Sequence, residues 1–551
     1  MEQRQHDARF NAEILDVVIV GAGFAGLYML HKLRTLGFSA KVFEAAEDVG
    51  GTWYWNRYPG ARCDVESVQY SYSFDPALEQ EWRWSERFAT QPEILRYINH
   101  VADRFDLRRD IVLNTRIKAA EFNEKSGHWT VTTADGATIE ARFCVMATGC
   151  LSASRLPAID GLDRFAGEVL HTALWPREQF DFTGKRVGVI GTGSSGIQAI
   201  PLIAAQAQHV TVFQRTPNFS VPARNWDMTD DYERSWKENY PALRKRARES
   251  TWSGTLYEFS DKGAMEVDEA TRQAEYERRW QTGGANFMHA FNDLLLSEPS
   301  NETAADFVRG KIRQIVQDPR TAEALLPFDH PLAAKRICVD TDYYATYNRD
   351  NVDLIDVRRE PIEAITPDGL RAGEREHVFD TLVFATGFDA MTGALNAIDI
   401  RGREGHRLSD EWRDGPRSYL GLMVAGFPNL FTVTGPGSPS VLSNMIVSIE
   451  QHVDWISECL CHLRETGIDL IEAETTAQTE WGQEVNAAAE RTLYPRAGSW
   501  YMGANIPGKA RMFMPYVGGL GNYRRICAEV AADGYRGFRL QGIPSAAAIS
   551  A

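Results

Sequence analysis

The chain has 551 residues, 44% of them hydrophobic and 24% charged, with a formal net charge of -16. This composition is ordinary for a globular protein, and the length predicts two or three domains rather than one core. The acidic balance argues against nucleic acid or an anionic membrane as a partner, because both attract basic surfaces.

The sequence lacks the signals of secretion, membrane insertion and metal binding. No apolar run approaches the roughly 18 residues of a membrane span, and the N-terminus lacks the basic and apolar regions of a signal peptide. The seven cysteines form no CxxC pair and no zinc-ligand spacing, which argues against a disulfide framework and a metal site. We therefore expect a cytoplasmic protein with reduced cysteines and no metal.

The first predicted unit is a strand, a glycine turn, a helix and a second strand, DVVIVGAGFAGLYMLHKLRTLGFSAKVFEAAE. Its GxGxxG fingerprint lies at Gly21, Gly23 and Gly26, where backbone amides at a helix N-terminus can bind a pyrophosphate. The second strand ends at Glu44, whose carboxylate can accept hydrogen bonds from ribose hydroxyls. A glycine- and aromatic-rich segment follows, DVGGTWYWNRYPGARCDVES, which can pass close over a flat ring system. This unit is predicted to bind FAD.

A second unit of the same kind follows, KRVGVIGTGSSGIQAIPLIAAQAQHVTVFQRTP, with glycines at Gly191, Gly193 and Gly196. Its second strand ends at Arg215 and Thr216, where the first unit has a carboxylate. A guanidinium there can bind a 2′-phosphate in bidentate fashion. The second unit is therefore predicted to bind NADPH, the alternative being that Arg215 is a solvated surface arginine.

These units predict an α/β fold with two Rossmann-like dinucleotide-binding domains, one for FAD and one for NADP. Strand-like runs that end in ATG, at 143–149 and 381–388, indicate where the chain crosses between the domains. Charged, helical sequence between them predicts a helical insertion in the NADP domain. The predicted segments are FAD domain 1–150 and 389–551, NADP domain 151–225 and 331–388, and insertion 226–330.

Two further motifs resemble those of a known family. FAGEVLHTALWP, at 165–176, matches the fingerprint FxGxxxHxxxW of the type I Baeyer–Villiger monooxygenases, and GGTWYWNRYPGARCD matches a second motif of that family. The resemblance covers nearly the whole chain and is closest to the phenylacetone and steroid monooxygenase branch. It implies that NADPH reduces FAD and that a C4a-peroxyflavin then inserts one oxygen atom beside a ketone carbonyl, giving an ester or lactone.

The same resemblance implies the catalytic residues. Arg336 would balance negative charge on the reacting oxygens, since an arginine stays protonated throughout, and Asp64 would hold Arg336 in place. His171 would couple the NADP domain to the flavin. Without the resemblance, the alternatives are a structural ion pair for Arg336, a loop or cap residue for Asp64 and a satisfied core histidine for His171.

The remaining implied site residues bind cofactor or substrate. Lys335 would join Arg215 and Thr216 on the 2′-phosphate, and Trp500 would close over nicotinamide and substrate; an exposed lysine and a core tryptophan are the alternatives. The other predicted cofactor contacts are Gly51, Trp53, Ser194 and Ser195, and Asp64 and Arg336 are predicted to contact the cofactors as well. The predicted substrate pocket comprises Val65, Cys150, Ser440, Val441, Leu442, Met445 and Trp500.

Three other classes of protein share parts of this pattern. A flavin monooxygenase that oxidises nitrogen or sulfur has a similar motif, and a non-catalytic nucleotide-binding sensor would keep the glycines. A disulfide reductase needs a CxxC pair, which this sequence lacks. We expect a small-molecule ketone and molecular oxygen as partners, and a monomer or weak oligomer. The sequence does not choose between aryl, steroid-like, cyclic and long-chain ketones.

Overall fold

Two β-sheets, each containing a strand that is followed by a glycine turn, organise the chain. The computed structural model describes residues 14–542. Up to Met146 the elements are β1 (Leu15–Val20), α1 (Phe24–Thr35), β2 (Ala40–Phe43), α2 (Thr52–Trp55), α3 (Pro76–Glu81), α4 (Gln91–Arg104), β3 (Ile111–Val112), β4 (Ile117–Asn123), β5 (His128–Thr133) and β6 (Thr138–Met146).

The middle of the chain forms the second glycine-turn unit and a helical segment. Its strands are β7 (Glu168–His171), β8 (Arg186–Ile190), β9 (His209–Gln214), β10 (Ser220–Pro222), β11 (Cys338–Asp340), β12 (Val352–Asp356), β13 (Ile362–Thr366), β14 (Gly369–Ala372), β15 (Arg375–Val378) and β16 (Thr381–Phe384). Its helices are α5 (Ser194–Gln206), α6 (Asp230–Lys237), α7 (Tyr240–Ser250), α8 (Glu269–Thr282), α9 (Glu298–Ile315), α10 (Pro319–Ala324) and α11 (Tyr343–Thr346).

The last part of the chain adds two strands to the first sheet and covers it with helices. Its elements are α12 (Gly393–Asn396), β17 (Asp399–Arg401), α13 (Leu408–Glu411), β18 (Leu430–Thr432), α14 (Met445–Thr466), β19 (Leu470–Ala473), α15 (Thr475–Glu490), α16 (Leu520–Ala532) and β20 (Phe538–Gln541).

The strand order confirms the predicted α/β fold. The first sheet runs β17-β4-β5-β6-β1-β2-β3, with β18 beside β6, and β1 is parallel to both of its neighbours. The second sheet runs β12-β9-β8-β16-β7 and is parallel throughout. Since β17 and β18 lie after β16 in sequence, the chain leaves the first sheet, builds the second and returns. The exact domain boundaries at 150, 225, 330 and 388 stay a prediction.

The two central strands have the sequences that a covered parallel sheet requires. In β1 and β8 the last four residues of each strand are buried, and continuous apolar runs are typical of strands with helices on both faces. Between β10 and β11 the described elements are helices α6 to α10 and short single turns. Among residues 14–542, no helix is long and apolar enough to cross a bilayer.

The third glycine of each fingerprint lets its helix pack against the strand before it. A Cβ added at Gly26 would collide with the carbonyl oxygen of Gly21, and one at Gly196 would collide with that of Gly191. In both cases the obstacle is backbone, which cannot rotate away as a side chain can.

We expect Gly26→Ala to destabilise the fold by about 3 kcal/mol, the upper end of the overpacking range. Gly310→Ala is the matched control, because Gly310 lies inside α9 and an added Cβ meets nothing within 4 Å. The control should stabilise the protein by up to about 1 kcal/mol through helix propensity. Thermal unfolding measures both changes, and equal midpoints for the two variants would contradict the packing argument.

Candidate functional site

A cleft of about 1380 Å³ lies where the two glycine turns face each other. It is lined by the turns that follow β1 and β8 and by residues after the ends of β2, β6, β9 and β16. Ligands bind at this edge of parallel sheets because helix N-termini and strand carboxyl ends converge there. The cleft thus joins both predicted nucleotide sites in one cavity.

Most of the predicted site residues line this cleft. They are Gly21, Gly23, Glu44, Gly51, Trp53, Asp64, Val65, Cys150, Gly191, Gly193, Ser194, Ser195, Arg215, Thr216, Lys335, Arg336, Val441, Met445 and Trp500. The predicted residues outside the lining are Gly26, His171, Gly196, Ser440 and Leu442. The two glycines among these serve helix packing, as described above.

The first nucleotide site has the features that an adenosine ribose and a pyrophosphate require. The buried carboxylate of Glu44 accepts hydrogen bonds from the backbone N–H groups of Ala22 at 2.7 Å and Ala46 at 2.8 Å. These bonds fix the carboxylate at the edge of the cleft. Gly51 adopts a φ of 53°, and a Cβ there would lie 2.9 Å from the Cα of Gly23. The two glycine segments therefore approach more closely than side chains would allow, which fits FAD.

The second nucleotide site differs at the end of its second strand. Gln214, the last residue of β9, is buried and donates its side-chain amide to the carbonyl oxygen of Ala324 at 2.7 Å. Arg215 follows as an exposed residue that lines the cleft. A Cβ at Gly193 would meet nothing within 4 Å, so open space adjoins the N-terminus of α5. A pyrophosphate fits that space, and the cation beside it fits the 2′-phosphate of NADPH.

Arg336 and Asp64 form a bidentate ion pair in the cleft. The Arg336 Nε donates to Asp64 Oδ2 at 2.9 Å, and Nη2 donates to both carboxylate oxygens at 2.6 and 2.7 Å. The remaining Nη1 donates to the carbonyl oxygen of Val441 at 3.1 Å. The charge of Asp64 raises the pKa of Arg336 despite burial, so the guanidinium keeps its proton. Three distant segments of the chain meet at this one side chain.

His171 lies behind the cleft wall. Its Nδ1 accepts a hydrogen bond from the backbone N–H of Ala173 at 3.1 Å, and its Nε2 lies 3.2 Å from the carbonyl oxygen of Arg155 and 3.4 Å from Thr386 Oγ1. Burial lowers the pKa of His171, so the ring is neutral and Nε2 carries the proton. Arg155 and Thr386 line the cleft. His171 therefore supports the wall instead of facing the cavity.

The predicted substrate wall is mainly apolar. Within the segment 440–442, only Val441 reaches the cleft, because the Ser440 hydroxyl points inward and donates to the carbonyl oxygen of Thr434 at 3.1 Å. Burial raises the pKa of Cys150 to about 11, so its thiol is neutral. The Trp500 ring lies 4.3 Å from that of Tyr501, between ring centroids.

Gln198 is one of several residues at the site that escaped the sequence analysis. Gln198, on α5, accepts a hydrogen bond from the Tyr58 hydroxyl at 2.8 Å and donates to the carbonyl oxygen of Arg62 at 3.2 Å. A Cβ at Gly60 would lie 2.5 Å from the Gln198 carbonyl oxygen. Gln198 thus fastens the loop that contains Asp64 to the helix of the other unit. Both partners lie inside recognisable motifs, but their contact spans 140 residues and no local pattern reveals it.

Comparison with known proteins gives matches over nearly the whole length. The family described as pyridine nucleotide-disulphide oxidoreductase matches residues 18–232. A Baeyer-Villiger monooxygenase of Pseudooceanicola batsensis is 44% identical, over 94% of this chain and 95% of the relative. A phenazine N-monooxygenase of Lysobacter antibioticus is also 44% identical, over 96% of this chain and 98% of the relative.

Solved structures also match this chain over nearly its whole length. The structure of an oxidized steroid monooxygenase bound to NADP has a TM-score of 0.92 and 52% identity, and the match covers 96% of this chain and 100% of that one. The OTEMO complex with FAD and NADP has a TM-score of 0.93 and 42% identity, covering 96% and 99%. The OTEMO complex, which holds both FAD and NADP, agrees with a site that accommodates two dinucleotides.

We expect Gln198→Ala to lower stability by about 1–3 kcal/mol, because it leaves the Tyr58 hydroxyl and the Arg62 carbonyl without their partner. Gln206→Ala, at the exposed end of the same helix, is the control and should change stability by less than about 0.5 kcal/mol. Thermal unfolding with bound FAD measures both. A Gln198 variant as stable as the control would mean that this contact does not hold the two units together.

Proposed function

The chain belongs to the type I Baeyer–Villiger monooxygenases, and from that premise we propose how its residues serve the reaction. It is an FAD-containing, NADPH-dependent enzyme that inserts one oxygen atom from molecular oxygen beside the carbonyl of a small-molecule ketone, giving an ester or lactone. The assignment of roles to residues rests on the bidentate ion pair between Arg336 and Asp64. Through this pair, a permanently charged guanidinium lies in the cavity that both proposed nucleotide sites share.

The two cofactors would be held by different halves of the cleft. We propose that FAD lies against the turn of Gly21 and Gly23 and the Glu44 carboxylate, and NADPH against the turn of Gly191 and Gly193. When bound, FAD supplies the redox chemistry, which consists of accepting a hydride and activating oxygen. Arg215, with Thr216 and Lys335, would read the 2′-phosphate. The other proposed cofactor contacts are Gly51, Trp53, Ser194, Ser195 and Trp500.

Arg336 would act on the negative charge that develops on the reacting oxygen atoms. A preorganised cation in a cavity that excludes water stabilises such charge strongly. The guanidinium of Arg336 stays protonated through the reaction, because the charge of Asp64 raises the pKa of Arg336. Asp64 would keep the guanidinium oriented, and His171 would act as a positioning residue through Arg155 and Thr386.

The wall residues support a ketone with apolar substituents. Val65, Val441 and Met445 bring hydrocarbon or thioether side chains to the cleft, and the neutral thiol of Cys150 adds no charge. Burying a charged group against such a wall without a partner is costly. We therefore propose uncharged aryl, alicyclic or long-chain ketones as substrates, and a cytoplasmic monomer or weak oligomer as the working form.

A ketone panel tests the activity itself. Purified enzyme with FAD, NADPH and oxygen should convert at least one uncharged ketone to the ester or lactone, identified by mass spectrometry. NADPH loss alone does not suffice, since it also reports uncoupled hydrogen peroxide release. Because the relative from Lysobacter antibioticus is a phenazine N-monooxygenase, the panel should include phenazine. An N-oxide with no ester from any ketone would overturn the assignment.

Replacement of Arg336 tests the proposed division of roles. Arg336→Ala should still allow NADPH to bleach the flavin under anaerobic conditions, while ester formation falls at least about 100-fold, the typical cost of losing a preorganised charge contact. Arg336→Lys should recover little, since an ammonium cannot form the fork with Asp64.

The exposed Arg320 supplies the control, and Arg320→Ala should keep the ester yield. Stopped-flow spectra and product analysis separate the two half-reactions. A normal ester yield from Arg336→Ala would place the required cation elsewhere.

A further inference from the structure

An acidic side chain lies beside Lys335, one of the cations proposed for the 2′-phosphate. Asp329 Oδ2 is 4.0 Å from Lys335 Nζ. The Lys335 side chain is only 18% exposed, and its pKa is lowered by burial and also by the nearby charge of Arg215, while Asp329 raises it. Lys335 therefore has an anion, Asp329, and a cation, Arg215, in its surroundings before the cofactor binds.

The geometry holds the Asp329 carboxylate in a fixed direction. Its Oδ1 lies 2.7 Å from His330 Nδ1, and the His330 ring is buried and edge-on to Phe219 at 5.4 Å between centroids. Burial lowers the pKa of His330, so the ring is neutral and donates its Nδ1–H. A neutral donor leaves the carboxylate its full charge. One oxygen is thus occupied by His330, and the other faces Lys335.

We propose that Asp329 is the counter-ion that Lys335 exchanges for the 2′-phosphate of NADPH, and that it limits how tightly the cofactor is held. The inference rests on the proposed function of Arg215 and Lys335. Binding of the phosphate must weaken the contact between Asp329 and Lys335, and the carboxylate then repels the dianion across a few ångströms. Both effects favour release of the oxidised cofactor.

Asp329 should affect the binding of the 2′-phosphate and not the binding of the rest of the nucleotide. Only the 2′-phosphate would approach Lys335 and Arg215, whereas the pyrophosphate would lie at the glycine turn of Gly191 and Gly193. A ligand without the 2′-phosphate should therefore be indifferent to the charge at position 329. Removal of that charge should tighten binding of phosphorylated ligands alone.

The test is calorimetric titration of the FAD-loaded enzyme with adenosine 2′,5′-bisphosphate and with 5′-AMP. Asp329→Asn should bind the bisphosphate roughly threefold to tenfold more tightly than the wild type, as expected for a partly exposed charge acting on a dianion. Its affinity for 5′-AMP should not change. In the Lys335→Ala variant, Asp329→Asn should increase the affinity for the bisphosphate by a smaller factor, because no lysine remains to exchange the carboxylate for the phosphate.

Asp353→Asn is the matched control, since it removes the same charge at a position distant from Arg215. Asp353 pairs with Thr211 in the register of β12 and β9, which places it about 13 Å along the strand from Arg215, at about 3.3 Å per residue. Its side chain is 70% exposed. The control variant should bind both ligands like the wild type.

The possible results separate the inference from the function on which it rests. If the wild type prefers the bisphosphate but Asp329→Asn binds it no more tightly, Asp329 is not a competing counter-ion and the inference fails alone. Weaker binding by Asp329→Asn would mean that the carboxylate orients Lys335, which also overturns the inference. If the wild type binds both ligands equally and Arg215→Ala changes neither affinity, the 2′-phosphate site itself is wrong.

Discussion

The ion pair between Arg336 and Asp64 is the interaction on which the rest of the site depends. It connects the loop after the first glycine unit, the segment before β11 and the turn at Val441. A half-buried ion pair contributes little net stability when both partners are present, and removal of one partner leaves an uncompensated charge. Its value here is positional, because it fixes a cation where two nucleotide sites meet.

Other contacts restrict the freedom of that ion pair. Asp64 is two residues beyond Arg62, whose carbonyl oxygen is held by Gln198, and Arg336 directly follows Lys335, which faces Asp329. Gln198 thus connects the loop of Asp64 to the second unit, whereas Lys335 has only the longer contact with Asp329. A shift of α5 relative to the first sheet would pass through Gln198 to Asp64. Gln198 and the ion pair of Arg336 with Asp64 both connect the loop after the first glycine unit to the second unit.

The sequence correctly predicted the positions of elements that depend on strand periodicity and on the glycine turn. Glu44 and Arg215 lie at the ends of β2 and β9 as expected, because the turn sets the length of each unit. The contact of Gln198 with Tyr58 and the inward rotation of Ser440 were not predictable in this way. They depend on how loops from distant segments pack, and no period relates those segments. Asp329 is close to Lys335 in sequence, yet the intervening loop has no regular structure that would bring the two together.

The acidic composition of the chain and its cationic cleft are compatible because electrostatic screening is local. Charges separated by more than about 8 Å in physiological salt interact weakly when solvent lies between them, so a net charge of -16 does not decide what binds in a cavity. Within the cleft the relevant charges are Arg215, Lys335 and Arg336, with Asp64 and Asp329 as their partners. The two carboxylates differ in how closely they bind their cations. Asp64 holds its arginine by three hydrogen bonds, whereas Asp329 faces its lysine at 4.0 Å. The first arrangement suits a cation that stays in place through a reaction, as proposed for Arg336. The second suits the role proposed for Lys335, which is to accept and release a phosphate in every cycle.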